Sequence, residues 1–566
     1  MTPFHLLTLA SSANVFFAGL FAGTLLFDRW GITPVRPTIP PGPFIRFQQG
    51  QHVNVMRLIP TLLILSIVSA GTAALLMRGN PLHFRFAFTV ASTLLMLVVL
   101  ILARAINVPI NDTLMTGRAM LFVCEVKTEI PVKLLALVTI FLAATAATAG
   151  TPDTPAAAPK LRFAVILTRH GVRSPTWTLP ELNAYSAEPW PDWGVAPGNL
   201  TPRGSKLMTL FGSYYRLHFA AAGLLHSTGC ADAGHVYIRA DAESRTRETG
   251  RALATGIMPG CSVDVQTVSA GQDPLFSPLS AGIAKPDRAL AAASISGRIG
   301  ANPNALVIIY RQAFDMLREV LFGCAPGASC PVEEKPGKRS VLKQPSSVEA
   351  GKGDHAADLQ GPLRTGSTLS EDFLLQYVNG MEGKDLGWGR LDAGKMLEIL
   401  RLHAAYADLA RQTPYLARLQ GSNLLSHVLR SMEQAVRDSS VTGSLGEVGD
   451  RVLIIVGHDT NISNIAGLLG ISWLLDGYQR DDTPPGGALV FELWQQAEGE
   501  MAVSTYYVAQ SLEQMRKAMP LTLDSPPLKS PIFLPGCGTA DEKMTCPWKA
   551  FQHTIESAID PAFVKP

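Results

Sequence analysis

Residues Leu161–Thr176 read L-R-F-A-V-I-L-T-R-H-G-V-R-S-P-T: an apolar run that stops at a histidine set between arginines. Phe163–Leu167 is too short to span a membrane and too continuous for a half-exposed strand. The spacing therefore predicts a central strand buried on both faces. Gly171 and Pro175 turn the chain away, which leaves Arg169, His170 and Arg173 at the carboxyl end of that strand, where open α/β sheets bind ligands. Guanidinium forks remain charged and match tetrahedral oxygens, so the cluster suits a phosphate better than an apolar ligand.

The same grammar returns late in the chain. Val452–Val456 reads V-L-I-I-V and runs into Gly457, His458, Asp459, Thr460 and Asn461. An isolated His-Asp pair is commonly a structural hydrogen bond. Two apolar strands that each deliver a histidine at their ends form a pattern that chemistry would use.

The pattern resembles the histidine acid phosphatases, branch 2 of the histidine phosphatase superfamily, marked by R-H-G-x-R-x-P early and H-D late. Both signatures are complete, as Arg169 to Pro175 and as His458-Asp459. The likeness is greatest to bacterial periplasmic phytase and glucose-1-phosphatase-like members. It draws also on A-D-A-E-S-R-T-R-E-T-G at Ala240–Gly250, G-W-G-R at Gly387–Arg390 and D-T-P-P-G-G at Asp482–Gly487. The resemblance runs from about Lys160 to the C-terminus. It implies an α/β fold: a three-layer α/β/α core with a mostly parallel central sheet, and a helical cap inserted at about 277–434.

It also implies an acid phosphomonoesterase. His170 would be the nucleophile that forms a phosphohistidine, and Asp459 the acid that protonates the leaving oxygen. Arg169, Arg173, Arg245 and His458 would hold the phosphoryl oxygens, with Thr176 as a further contact. No metal or other cofactor is implied, since arginines supply the positive charge. An acidic optimum is expected because the acid must start protonated. Trp177 stands where family phytases often carry a lysine, and this favours a less charged monoester over phytate. A phosphoglycerate-mutase-like transferase would continue R-H-G with Glu, and the second arginine and the H-D pair argue against it. From another class, a membrane-tethered binder of phosphorylated ligands without turnover would have no need of Asp459.

Composition sets the frame. At 566 residues two or three domains are expected, and a net charge of +2 gives no reason to invoke nucleic acid. The mean hydropathy of +0.18 is high for a soluble enzyme. The excess lies before residue 150, where Leu6–Phe27, Leu58–Met77 and Phe86–Ala103 are uncharged runs. Each is close to the roughly 20 residues that cross a bilayer, so residues 1–133 read as a membrane region. Residues 134–160 follow as a fourth, shorter span or a signal-like segment with cleavage after Ala149, then a Pro/Ala linker. Residues 161–566 form the phosphatase domain.

Arg29, Arg36, Arg46 and Arg57 mark one basic loop; Arg104, Arg118, Lys127 and Lys133 mark another. The positive-inside rule places both in the cytoplasm and everything after Ala149 outside. The enzyme is therefore expected in the inner membrane with its catalytic domain in the periplasm, or released there by cleavage. N-V-P-I-N at Asn107–Asn111 gives the region a faint similarity to small membrane proteins of the anthrone-oxygenase-like group. Cys230 with Cys261, Cys324 with Cys330, and Cys537 with Cys546 form near pairs in sequence. Such pairing suits disulfides in an oxidising compartment, while sequence alone fixes no connectivity. It likewise fixes neither the substrate nor the oligomeric state.

The interval 277–434 reads as helical except for the polar stretch Val332–Thr368, which is expected to be partly disordered or to form the mouth of the cleft. His218, His403 and His427 read as core or surface.

Overall fold

The computed structural model describes residues 159–268, 272–300, 302–539 and 543–565. The expected membrane spans, the signal-like segment with Ala149, and the N-V-P-I-N likeness lie outside the described residues. Among the described residues no helix is long and apolar enough to cross a membrane.

The strands are β1 (Lys160–Arg169), β2 (Val236–Ala240), β3 (Val265–Gln266), β4 (Ser347–Ala350), β5 (Ala357–Gln360), β6 (Val452–Gly457), β7 (Ala488–Gln495), β8 (Met501–Ala509), β9 (Leu528–Pro531) and β10 (Cys546–Pro547). The longer helices are α1 (Pro202–Ala221), α2 (Ser244–Ile257), α3 (Arg288–Ile299), α4 (Arg311–Phe322), α5 (Pro362–Val378), α6 (Ala393–Ala410), α7 (Pro414–Arg437), α8 (Asp459–Leu469) and α9 (Trp548–Ala558).

The main sheet runs β10-β8-β7-β1-β6-β2-β3, with β9 on β8. Its β1, β6, β2 and β3 half is parallel, whereas β7, β8, β9 and β10 pair antiparallel. The sheet is thus mixed rather than mostly parallel as expected. The physical reason lies in the short turn between β7 and β8, which returns as a hairpin, whereas the parallel neighbours are joined through helices.

The predicted burial of the first strand holds on both faces. Phe163, Val165 and Leu167 enter one core with Leu453 and Ile455, while Ala164 and Ile166 enter the other with Ile454 and Val456. Each fully buried aliphatic side chain contributes about 1.5–3 kcal/mol, so two such strands side by side make a rigid floor. Behind them α1 packs on α2. A Cβ on Gly256 would stand 2.1 Å from the Thr209 carbonyl, so the two helices approach as closely as they do only because that side chain is absent.

On the other face lie the inserted helices. Helix α7 rests on α8 and β1, so the C-terminal part of the insertion is a layer of the core itself. The polar stretch 332–368 differs from the expectation of partial disorder. Arg318 donates to Glu333 at 2.9 Å, β4 and β5 form an antiparallel pair, and α5 begins at Pro362. Its polar residues find partners within the fold, which composition alone could not reveal.

Cys230–Cys261, Cys324–Cys330 and Cys537–Cys546 are disulfides. All three near pairs are closed, which suits an oxidising compartment outside the cytosol.

Candidate active site

Strands β1 and β6 are hydrogen-bonded neighbours, with Arg169 in register with Gly457. Their ends therefore leave the sheet side by side. The backbone of His170 is clamped from both flanks: its N–H donates to the Gly457 carbonyl at 3.0 Å, and its carbonyl accepts from Gly486 N–H at 3.1 Å. Beyond it, Thr201 N–H donates to the Val172 carbonyl at 2.9 Å. Gly204 lets α1 close on this loop, because a Cβ there would meet the Val172 carbonyl at 2.1 Å. The loop is fixed before any side chain is considered.

His170 is 3% exposed. Nδ1 lies 2.8 Å from the Gly171 carbonyl; as a donor to that oxygen, it leaves Nε2 with its lone pair. Burial, and after it the charges of Arg169 and Arg245, hold the ring well below its ordinary pKa. These surroundings favour the neutral ring.

His458 faces it, with ring centroids 5.5 Å apart. The Asp241 carboxylate lies 2.7 Å from His458 Nε2 and orients the ring, while Nδ1 lies 3.4 Å from Arg245 Nη2. Arg245 is the second residue of α2 and also pairs with Glu243. Arg169 donates to the Thr483 carbonyl at 2.6 Å, so the D-T-P-P-G-G segment cradles it. Thr176 is exposed beside this cluster, and the position of a Cβ on Gly198 would be 3.7 Å from both its methyl group and Arg245.

Asp459 is the first residue of α8, where a helix dipole favours negative charge. Thr460 N–H donates to its Oδ1 at 2.8 Å, and Arg411 Nη1 lies 2.6 Å from its Oδ2. Burial opposes the charge, yet Arg411 and then Arg169 hold the carboxyl well below its ordinary pKa. Both guanidiniums thus favour the ionised form of the group.

Three residues in or beside the cluster escaped sequence reasoning. Glu371 on α5 pairs with Arg169 and, at 3.0 Å, with Arg173. Arg411 sits between α6 and α7. His403, read as core or surface, is buried with its Nε2 3.9 Å from Asp459 Oδ2. None lies in a motif; Asp241 alone was legible, inside A-D-A-E-S-R. Arg203 is structural, donating to the Met515 carbonyl at 3.1 Å.

Donor atoms of Glu371, His403 and Asp459 converge within 4.8 Å. Both carboxylates, however, already face guanidiniums, so the surroundings favour an anion and would repel a metal ion.

Glu371 makes a testable contribution to stability. Burial raises its pKa, but Arg169 and Arg173 outweigh this and lower it from 4.5 to about 2. A depressed carboxylate stabilises the fold above its unfolded pKa and loses that contribution as pH falls through the folded value. Thermal unfolding should lose about 3 kcal/mol between pH 4.5 and 2 through this group. In Glu371→Gln the loss should be missing from that window, and at pH 5 the variant should melt lower than wild type; parallel pH curves for the two proteins would contradict this.

A family model of the histidine phosphatase superfamily (branch 2) matches residues 160–299 and 355–510. Phytase AppA of Escherichia coli (strain K12) is 35% identical over 407 residues, covering 71% of this chain and 93% of that protein. Glucose-1-phosphatase of Salmonella typhimurium is 28% identical, covering 70% and 92% respectively. The structure of Hafnia alvei phytase in complex with myo-inositol hexakis sulphate superposes with a TM-score of 0.64 at 33% identity, covering 72% of this chain and all of that one.

Proposed function

The chain belongs to branch 2 of the histidine phosphatase superfamily and hydrolyses phosphate monoesters, and from that premise we propose that it works through a phosphohistidine on His170 with Asp459 as general acid. Nε2 of His170 attacks phosphorus and the ester P–O bond breaks, while Asp459 delivers its proton to the leaving oxygen. A water then attacks the phosphorus, the P–N bond breaks, and Asp459 takes back a proton as phosphate leaves. Arg169, Arg173 and Arg245 hold the phosphoryl oxygens through charge-assisted bonds. His458, oriented by Asp241, contributes a further contact to the phosphoryl oxygens. Thr176 contributes at the rim.

The observation that carries this reading is the convergence of the buried His170 with guanidiniums and with the His458-Asp459 pair at the ends of adjacent strands. Quenching in alkali during turnover of a labelled ester should leave label on the peptide containing His170. Label on another residue, or none during a pre-steady-state burst, would overturn it.

The substrate is a sugar or inositol phosphate. The phytase relatives favour inositol phosphates, whereas Trp177, tilted against Tyr185 at 5.6 Å, presents an aromatic surface where a lysine would attract further phosphates. A panel of esters should accordingly give a higher kcat/KM for a sugar monophosphate than for inositol hexakisphosphate. The reverse order would remove Trp177 as a determinant. We place residues 161–566 in the periplasm, tethered by 1–133 or released after Ala149; mass spectrometry of the mature N-terminus decides between the two.

A further inference from the structure

The three residues 411–413 between α6 and α7 form a locked corner. Arg411 N–H donates to the Ala407 carbonyl at 2.9 Å, and Thr413 Oγ1 donates to the Leu409 carbonyl at 2.6 Å. Arg298 pins the same corner from α3, donating to both carboxylate oxygens of Asp408 at 2.9 and 2.8 Å and to Thr413 Oγ1 at 3.2 Å. This rigidity aims one guanidinium, that of Arg411, at Asp459.

Oδ1 accepts from Thr460 N–H and Oδ2 faces the Arg411 guanidinium at 2.6 Å. That positive charge disfavours a proton on Asp459, so protonation becomes easier when Arg411 yields. An arriving phosphoryl dianion is the charge that would draw it away, since guanidinium pairs with phosphate as readily as with carboxylate. We propose that Arg411 is a positioning residue of the reaction, holding Asp459 as a bound carboxylate until substrate charge competes for the guanidinium and frees Oδ2 to take a proton. This rests on the reading of Asp459 as the general acid.

The other charged or titratable groups acting on Asp459 are Arg169 on β1, Glu371 on α5, and His403 and Tyr406 on α6, together with Arg245 on α2 and Tyr507 on β8. All remain in an Arg411 variant, so a change in the pH profile isolates the one guanidinium.

The test is the pH dependence of kcat/KM, which reports the free enzyme in which Arg411 still holds Asp459, with an alkyl phosphate for wild type, Arg411→Gln and Arg411→Lys. Removal of a positive charge beside a carboxyl raises its pKa, so the alkaline limb should move upward by about 1–3 units in Arg411→Gln. Arg411→Lys keeps the charge and loses the fork; it is expected to fold even where Gln does not, with a smaller upward shift. A folded variant of either kind whose limb stays in place while activity falls equally at all pH values would reduce Arg411 to scaffolding and overturn the proposal. Asp459→Asn keeps the two readings apart. If Asp459 is the acid, that variant loses turnover by itself and Arg411→Gln adds no further limb shift in its background. Full turnover in Asp459→Asn would instead refute the acid assignment beneath it.

Discussion

His170→Ala is expected to lower phosphate release by roughly 10⁴- to 10⁶-fold, with esters of good and poor leaving groups affected alike. The loss follows from the chemistry at one atom. Without Nε2 the displacement cannot be divided into two steps, and no neighbour is placed to take over: His458 is turned through its bond to Asp241, and His403 sits beyond Asp459. Binding should survive, because Arg169, Arg173 and Arg245 are held by Glu371, Glu243 and the Thr483 carbonyl independently of the imidazole. Calorimetric titration of His170→Ala with inorganic phosphate should therefore give an affinity close to wild type. Steady turnover in this variant, with label still trapped in alkali, would mean that another group attacks phosphorus.

Asp459→Asn should lower kcat by roughly 10²- to 10⁴-fold for an alkyl phosphate and much less for an aryl phosphate whose leaving group needs little protonation. The contrast between esters is the informative part, since a merely structural defect would depress both equally. The sign with pH is also fixed. As a general acid Asp459 must carry a proton in the substrate complex, so wild-type activity should fall as pH rises and that proton is lost. The asparagine variant has no proton to lose there and should show a flat profile over the same interval. An unchanged alkaline limb would assign that limb to another group.

These expectations separate what could be read along the chain from what could not. R-H-G-V-R-S-P and H-D were legible because each is a local arrangement: an apolar run, a stop, then charged residues within a few positions. Their fold was legible too, since unbroken apolar strands must be buried on both faces. Parallel pairing of the outer strands was over-read. The β7 to β8 connection is a hairpin, and that half of the sheet is antiparallel. The expectation of disorder for the polar stretch 332–368 failed for a related reason, as composition shows how many polar groups there are but not which partners satisfy them.

By itself the sequence singled out the proposed nucleophile, the proposed acid and the arginines that flank them, together with the near pairs of cysteines that prove to be bonded. Only the tertiary structure decided the state of those groups. Glu371, Arg411 and His403 come from helices with no motif of their own, yet they set the charge around Arg169 and Asp459. The physical cause is that an ion pair depends on separation in space and on the exclusion of water, and neither quantity is written in the spacing of residues along a chain.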